Sequence, residues 1–290
     1  MNKKFFLFFI FILTFQLNIN SYSIMTNDSS TLKIETIPPR PEDAITGSEF
    51  AYRTARMTGP ERQRAALDEL RKGNISPFLR NLKSVQLSFK PIGGKERFAT
   101  IWVMPDYLAI GSDDDFLRIP LTYISATGIA EQFGFILPTR KMVDAIYKQA
   151  TCHLKPEPLP PGPNMRSSEY YLKHQEMIRS QRESEGCSLG ELMAGHKKDV
   201  VISNRLNKKP GSMAIYGWHR KNGKPIQSLS TVHGEKYADY SHGIRLVYRM
   251  TWIDGEPQSI IDVLQDPSIA PILTYERVFH KLFRLLGLKK

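Results

Sequence analysis

Cysteine is almost missing from this 290-residue chain, which holds only Cys152 and Cys187. Two thiols cannot build a disulfide-dense scaffold or a four-cysteine metal site, and neither lies in a recognisable nucleophile motif. Past the first 20 residues no apolar run is long enough to span a bilayer, which excludes a multi-pass membrane protein. Glycine and proline, 19 of each, follow no period, so collagen-like and repeat architectures are excluded as well. Several chemical signatures are absent too: the G-x-x-x-x-G-K-[ST] phosphate loop, G-x-G-x-x-G, H-E-x-x-H, the EF-hand loop and G-x-S-x-G. Nucleotide-dependent chemistry is therefore not expected.

What is present is a folded composition, 41% hydrophobic and 24% charged, with 40 basic against 29 acidic residues and a net charge of +11. Such a surface suits an anionic partner. The basic residues are scattered among acids, without aromatic interleaving or a helix-turn-helix signature, so nucleic acid is not the expected partner. An anionic cell-envelope polymer is.

Lys3 and Lys4 precede a short apolar run over 5–15, and Ser21 and Ser23 follow, the pattern of a secretory signal peptide over 1–23 cleaved before Ile24. Secretion or residence in the periplasm is expected, and with it a bond between Cys152 and Cys187. Residues 24–46, with Pro38, Pro39 and Pro41, read as an extended proline-rich arm. Residues 47–274 form the main domain.

Within that domain, helices are expected over 48–57, 60–72, 123–133, 139–151, 167–184 and 259–264. Strands are expected over 85–89, 97–104, 107–111, 199–203, 213–218 and 244–252. The first three strands should form an antiparallel meander. Blocks of helices and strands without regular alternation define an α+β fold, an antiparallel sheet flanked by helices. Residues 275–290 alternate apolar Val278, Phe279, Leu282, Phe283, Leu285 and Leu286 with basic residues. They are expected to form a basic amphipathic helix that closes the core or meets a membrane surface.

Four of the seven histidines, His196, His219, His233 and His242, fall between residues 195 and 245, near predicted strand ends where sites are commonly built. Two chemistries fit them. His219, His233 and His242 with Asp239 would bind Zn²⁺ and a reactive water. Without metal, one histidine oriented by Asp239 would act as general base while Lys198 or Arg245 stabilises negative charge. Packing of these histidines on Trp218, Tyr237 and Tyr240 is the non-catalytic alternative.

His233-Gly234 followed by Ser241-His242-Gly243-Ile244-Arg245 resembles the histidine and signature segments of the L,D-transpeptidases, which crosslink peptidoglycan with a nucleophilic Cys after Ser-His-Gly. Ile244 holds that position here, and the two segments are closer together than in that family. The likeness spans about a dozen residues, so the family's nucleophile does not carry over. Ser112 to Asp115 offers carboxylates for Ca²⁺ but lacks the spacing of a calcium loop, and a turn is expected. Taken together, these features point to an exported hydrolase acting on a peptide or carbohydrate polymer. The alternative is a non-enzymatic envelope protein that binds a polymer or protein partner.

Overall fold

In the computed structural model, which describes residues 31–33 and 35–286, hydroxyl side chains mark where the helices begin. Thr46 precedes α1 (Gly47–Arg53), Thr58 α2 (Gly59–Arg71), Thr122 α3 (Tyr123–Gln132) and Thr139 α4 (Arg140–Gln149). Ser167 caps α5 (Ser168–Ser184) and Ser259 caps α6 (Ile260–Gln265). Each cap supplies an oxygen or a reciprocal contact to first-turn amides that have no partner within the helix. At α2 the Glu61 carboxylate accepts from the Thr58 amide at 2.8 Å, and Pro60 is tolerated because the first turn needs no donor there. Gly73 ends this helix at φ +85°, where a Cβ would fall 2.2 Å from the Pro38 carbonyl oxygen.

In chain order the strands are β1 (Thr31–Lys33), β2 (Asn81–Phe89), β3 (Arg97–Val103), β4 (Ala109–Gly111), β5 (Phe116–Arg118), β6 (Phe135–Ile136) and β7 (Cys152–His153). They continue with β8 (Met193–Ala194), β9 (Lys198–Val201), β10 (Ala214–His219), β11 (Pro225–Ser230), β12 (His242–Gly243), β13 (Val247–Ile253) and β14 (Glu256–Ser259). The larger sheet runs β1-β2-β3-β13-β14 with β6 also on β13, and all these pairs are antiparallel. A second sheet runs β11-β10-β9-β12. Leu82, Val85 and Leu87 of β2 and Ala99, Ile101 and Val103 of β3 are buried in the same core as Ile260, Val263 and Leu264 of α6. The fold is α+β, as the block order of the elements implied.

Three expectations are corrected. Part of the proline-rich arm is a sheet strand: β1 pairs with the edge of β2, and Leu32 and Ile37 are buried, because an unpaired edge offers amides and carbonyls that this segment satisfies. Residues 24–30 lie outside the described residues, as does the 1–23 signal segment. Residues 107–111 do not extend the meander. β4 turns back on β5, and β13, from 144 residues later in the chain, takes the place beside β3.

The tail is the third. Only α7 (Leu282–Leu285) is helical, and 287–290 lie outside the described residues. Phe279, Leu282, Leu285 and Leu286 are buried in the main core, and the Tyr123 hydroxyl donates to the Leu285 carbonyl at 2.6 Å. In this arrangement Phe279, Leu282, Leu285 and Leu286 face the domain, as the core-closing alternative expected. No helix among the described residues is long and apolar enough to cross a membrane.

Candidate functional site

The second sheet decides which histidines meet. β9 lies between the strand ending in His219 and the one beginning with His242, although those two segments were expected side by side. Two strand spacings, about 10 Å, therefore separate β10 from β12. β10 is further bent by Gly217 at φ +106° and Trp218 at φ +55°, where its register against β11 shifts. His219 lies beyond this bulge. Its Nε2 is 3.2 Å from Asp144 Oδ1, and its ring stacks on Tyr147 at 4.5 Å.

Alternation along β9 sends consecutive side chains to opposite faces. Asp199 faces the side of Tyr107, whose hydroxyl donates to Oδ2 at 3.0 Å, and of Arg245, whose Nε is 3.9 Å from Oδ1. Burial pushes the Asp199 carboxyl up to about 6, outweighing Arg245 and the Tyr107 hydrogen bond. Arg245 donates to the Met104 and Met193 carbonyl oxygens at 2.9 and 2.6 Å and lies over the Tyr107 ring. Expected as a stabiliser of substrate charge, it is a buried cation that ties three segments together.

Lys198 faces the other side. It is the strand partner of His242, and its ammonium lies 4.9 Å from the centre of the Trp218 ring. Burial lowers the Lys198 pKa, opposed by Asp239. His242 is fully buried, and neither ring nitrogen has a hydrogen-bond partner among the described residues. Asp239 Oδ2 is 4.0 Å from His242 Nε2. That carboxylate is held firmly: Oδ1 accepts from the Ser241 amide and hydroxyl at 2.8 and 2.6 Å, and Oδ2 from the Tyr237 hydroxyl at 2.9 Å.

Burial pushes the His242 imidazole down to about 4 despite the Asp239 carboxylate, so it is neutral at neutral pH with a free lone pair. Burial acts to raise Asp239, but His242 and the hydrogen bonds from Ser241 and Tyr237 prevail and hold it below the usual carboxylate range. His233 stacks on Tyr237 at 4.3 Å, and its ring centre is 5.7 Å from that of His242. Both His233 and Lys198 are only half-buried, so the cluster meets solvent through them.

Of the six residues expected in the site, the structure thus gathers His233, Asp239, His242 and Lys198 on one face and leaves His219 and Arg245 elsewhere. Among the described residues no group of three or more His, Cys, Asp or Glu side chains is placed to hold a metal ion. The expected Zn²⁺ set of His219, His233 and His242 is not assembled, because β9 intervenes and His219 is committed to Asp144. The acidic run after β4 acts in turns: Asp113 accepts from the Phe78 amide and Asp115 from the Ser48 amide and hydroxyl.

Sequence reasoning named His196 but not its partner, and it missed the other buried ionisable groups. Asp106 bonds both His196 Nε2 and Arg118, while Lys197 donates to the Tyr240 carbonyl at 2.6 Å beside His174. Burial, together with Arg118, holds Lys197 down at about 7. No local pattern marks these contacts, since His196 lies 90 residues from Asp106. The chain matches no known family model, no curated protein and no solved structure.

Proposed function

We propose that this protein is an exported hydrolase of a cell-envelope polymer and that His242 is its general base. One observation supports this above all. His242 is a buried, neutral imidazole with no hydrogen bond among the described residues, next to a carboxylate that other donors hold in place. Buried polar groups are normally satisfied, and an unsatisfied one at a polar cluster points to a partner supplied by water or substrate.

In the reaction, His242 takes a proton from water as the water oxygen attacks the substrate carbonyl carbon. Asp239 stabilises the imidazolium, closing the 4.0 Å gap as the charge appears. Lys198 faces the same side and stabilises the developing oxyanion. The imidazolium then protonates the leaving nitrogen or oxygen as its bond to carbon breaks. The cluster has one carboxylate and not the pair that glycoside hydrolysis uses, which favours an amide or ester bond. The disulfide and the signal-like start support export.

The test is release of new amines and carboxyls from purified peptidoglycan and from a mixed peptide substrate. The chain should release them, and His242→Gln should lower the rate by about 10²-fold or more. If neither polymer is cleaved, or if His242→Gln retains full activity, the assignment is wrong, and a binding role for the same face takes its place.

A further inference from the structure

A cavity of about 240 Å³ opens between the first turns of α2 and α3 and residues 236–238. Arg62, Arg166 and Lys236 line it, and no Asp or Glu does. Arg62 is 5% exposed, yet all its hydrogen bonds go to neutral oxygens: Ser168 Oγ at 2.9 Å and the carbonyls of Arg166, Met57 and Thr54 at 2.7, 2.9 and 3.4 Å. Among the described residues it has no carboxylate partner. A buried charge without a counter-charge is costly, and its presence at a cavity wall points to an anion that enters from outside.

The other two cations are free to bind that anion directly. Arg166 lies over the Tyr237 ring at 5.5 Å, and its Nη2 is 3.0 Å from where a Cβ on Gly59 would stand, so it crosses the start of α2. Neither Arg166 nor Lys236 forms an ion pair among the described residues. The amino-terminal end of α3, whose first turn holds no acidic residue, adds partial positive charge, whereas that of α2 is already met by the Glu61 carboxylate. The cavity and His242 share a wall: Ala238 lines the cavity, and the flanking Tyr237 and Asp239 form the support of the imidazole.

We infer that this cavity is an oxyanion subsite that receives a carboxylate or phosphate of the substrate. This rests on the hydrolase assignment only in calling the anion part of a substrate. Arg166 and Lys236 supply direct donors, and Arg62, four of whose five N–H groups are bonded within the protein, supplies the buried positive field.

Calorimetric titration of the whole protein with inorganic phosphate and, separately, with N-acetylalanine tests it without any turnover. Saturable binding of one or both is expected, weakened by about tenfold or more in the Arg166→Ala, Lys236→Ala double variant. Both side chains are exposed, so the melting temperature of the variant should be unchanged. Binding of phosphate alone or carboxylate alone identifies the group the site takes. Absence of saturable binding for both anions, or binding that the double substitution leaves intact, overturns the inference. His242→Gln should bind as the parent does, so a failed catalytic assignment and a failed anion site give different results.

Discussion

His242 and Lys198 are Cα partners across the two-residue parallel ladder between β12 and β9, so their side chains leave the sheet on the same face. The pairing brings a base and a cation together from segments 44 residues apart. It also depends on what lies beneath it. A Cβ on Gly243 would fall 2.5 Å from Cδ1 of Tyr107, whose hydroxyl is bonded to Asp199.

Gly243→Ala should therefore destabilise the fold by about 1 to 3 kcal/mol, because the Tyr107 ring cannot swing away without losing that bond. Urea unfolding followed by tryptophan fluorescence measures it. A midpoint equal to the parent's would show that β12 tolerates the side chain.

His242→Gln should change stability by less than about 1 kcal/mol while lowering the rate by about 10²-fold or more, since the imidazole makes no hydrogen bond among the described residues. A large fall in stability would mark His242 as structural and remove the main support for catalysis.

His219→Ala should do the reverse. Loss of its contact with Asp144 and its stack on Tyr147 should lower stability by about 1 to 3 kcal/mol and leave the rate of any remaining folded protein within a few-fold. The same geometry predicts that chelators leave activity unchanged. Inactivation by EDTA together with inactivity of folded His219→Ala would restore the zinc assignment.

Stability should fall as the medium is acidified from pH 6.5 to 4. Burial holds His196 and His242 down at about 4, against an ordinary 6.5. In that window the unfolded chain binds protons that the folded chain refuses, so each group's contribution is fully present above 6.5 and is lost as pH falls towards 4, by about 3 kcal/mol. Asp199 works the other way, since its folded carboxyl, raised to about 6, keeps a proton that the unfolded one loses above 3.8. Burial also holds His174 well below 6.5 and lowers His233, so the histidines together outweigh the one raised aspartate. Urea midpoints at pH 7, 5.5 and 4.5 should decrease in that order, and a flat series would contradict the burial of both imidazoles.

Cys152 and Cys187 are bonded, linking β7 to the residue three beyond α5 across a separation of 35 residues. Reduction should cost about 3 to 4 kcal/mol by freeing that loop in the unfolded chain. Thiol labelling of unfolded, unreduced protein should find no free thiol, and the urea midpoint should drop on reduction.

Sequence alone determined the features that act over a few residues. Thr58, Pro60 and Glu61 mark the start of α2 whatever surrounds them, and Asp254-Gly255, both at positive φ, turn β13 into β14 as that dipeptide predicts. The α+β class followed from such local elements, and the cysteine pairing from there being two. The nearness of Asp239 and His242 was also legible, because they are three residues apart, whereas the sequence marks Tyr237 only as a packing partner. Tertiary structure decided the rest. Whether β9 or β12 lies beside β10 depends on pairing between distant strands, and that choice moved His219 to Asp144, turned Arg245 into an internal tie and put Lys198 beside His242. The tail was decided in the same way. Phe279 and Leu282 repeat at helical spacing, yet among the described residues of the tail the helix is confined to Leu282–Leu285, because contacts of these side chains with distant elements of the core, which no local pattern specifies, set the path of the chain.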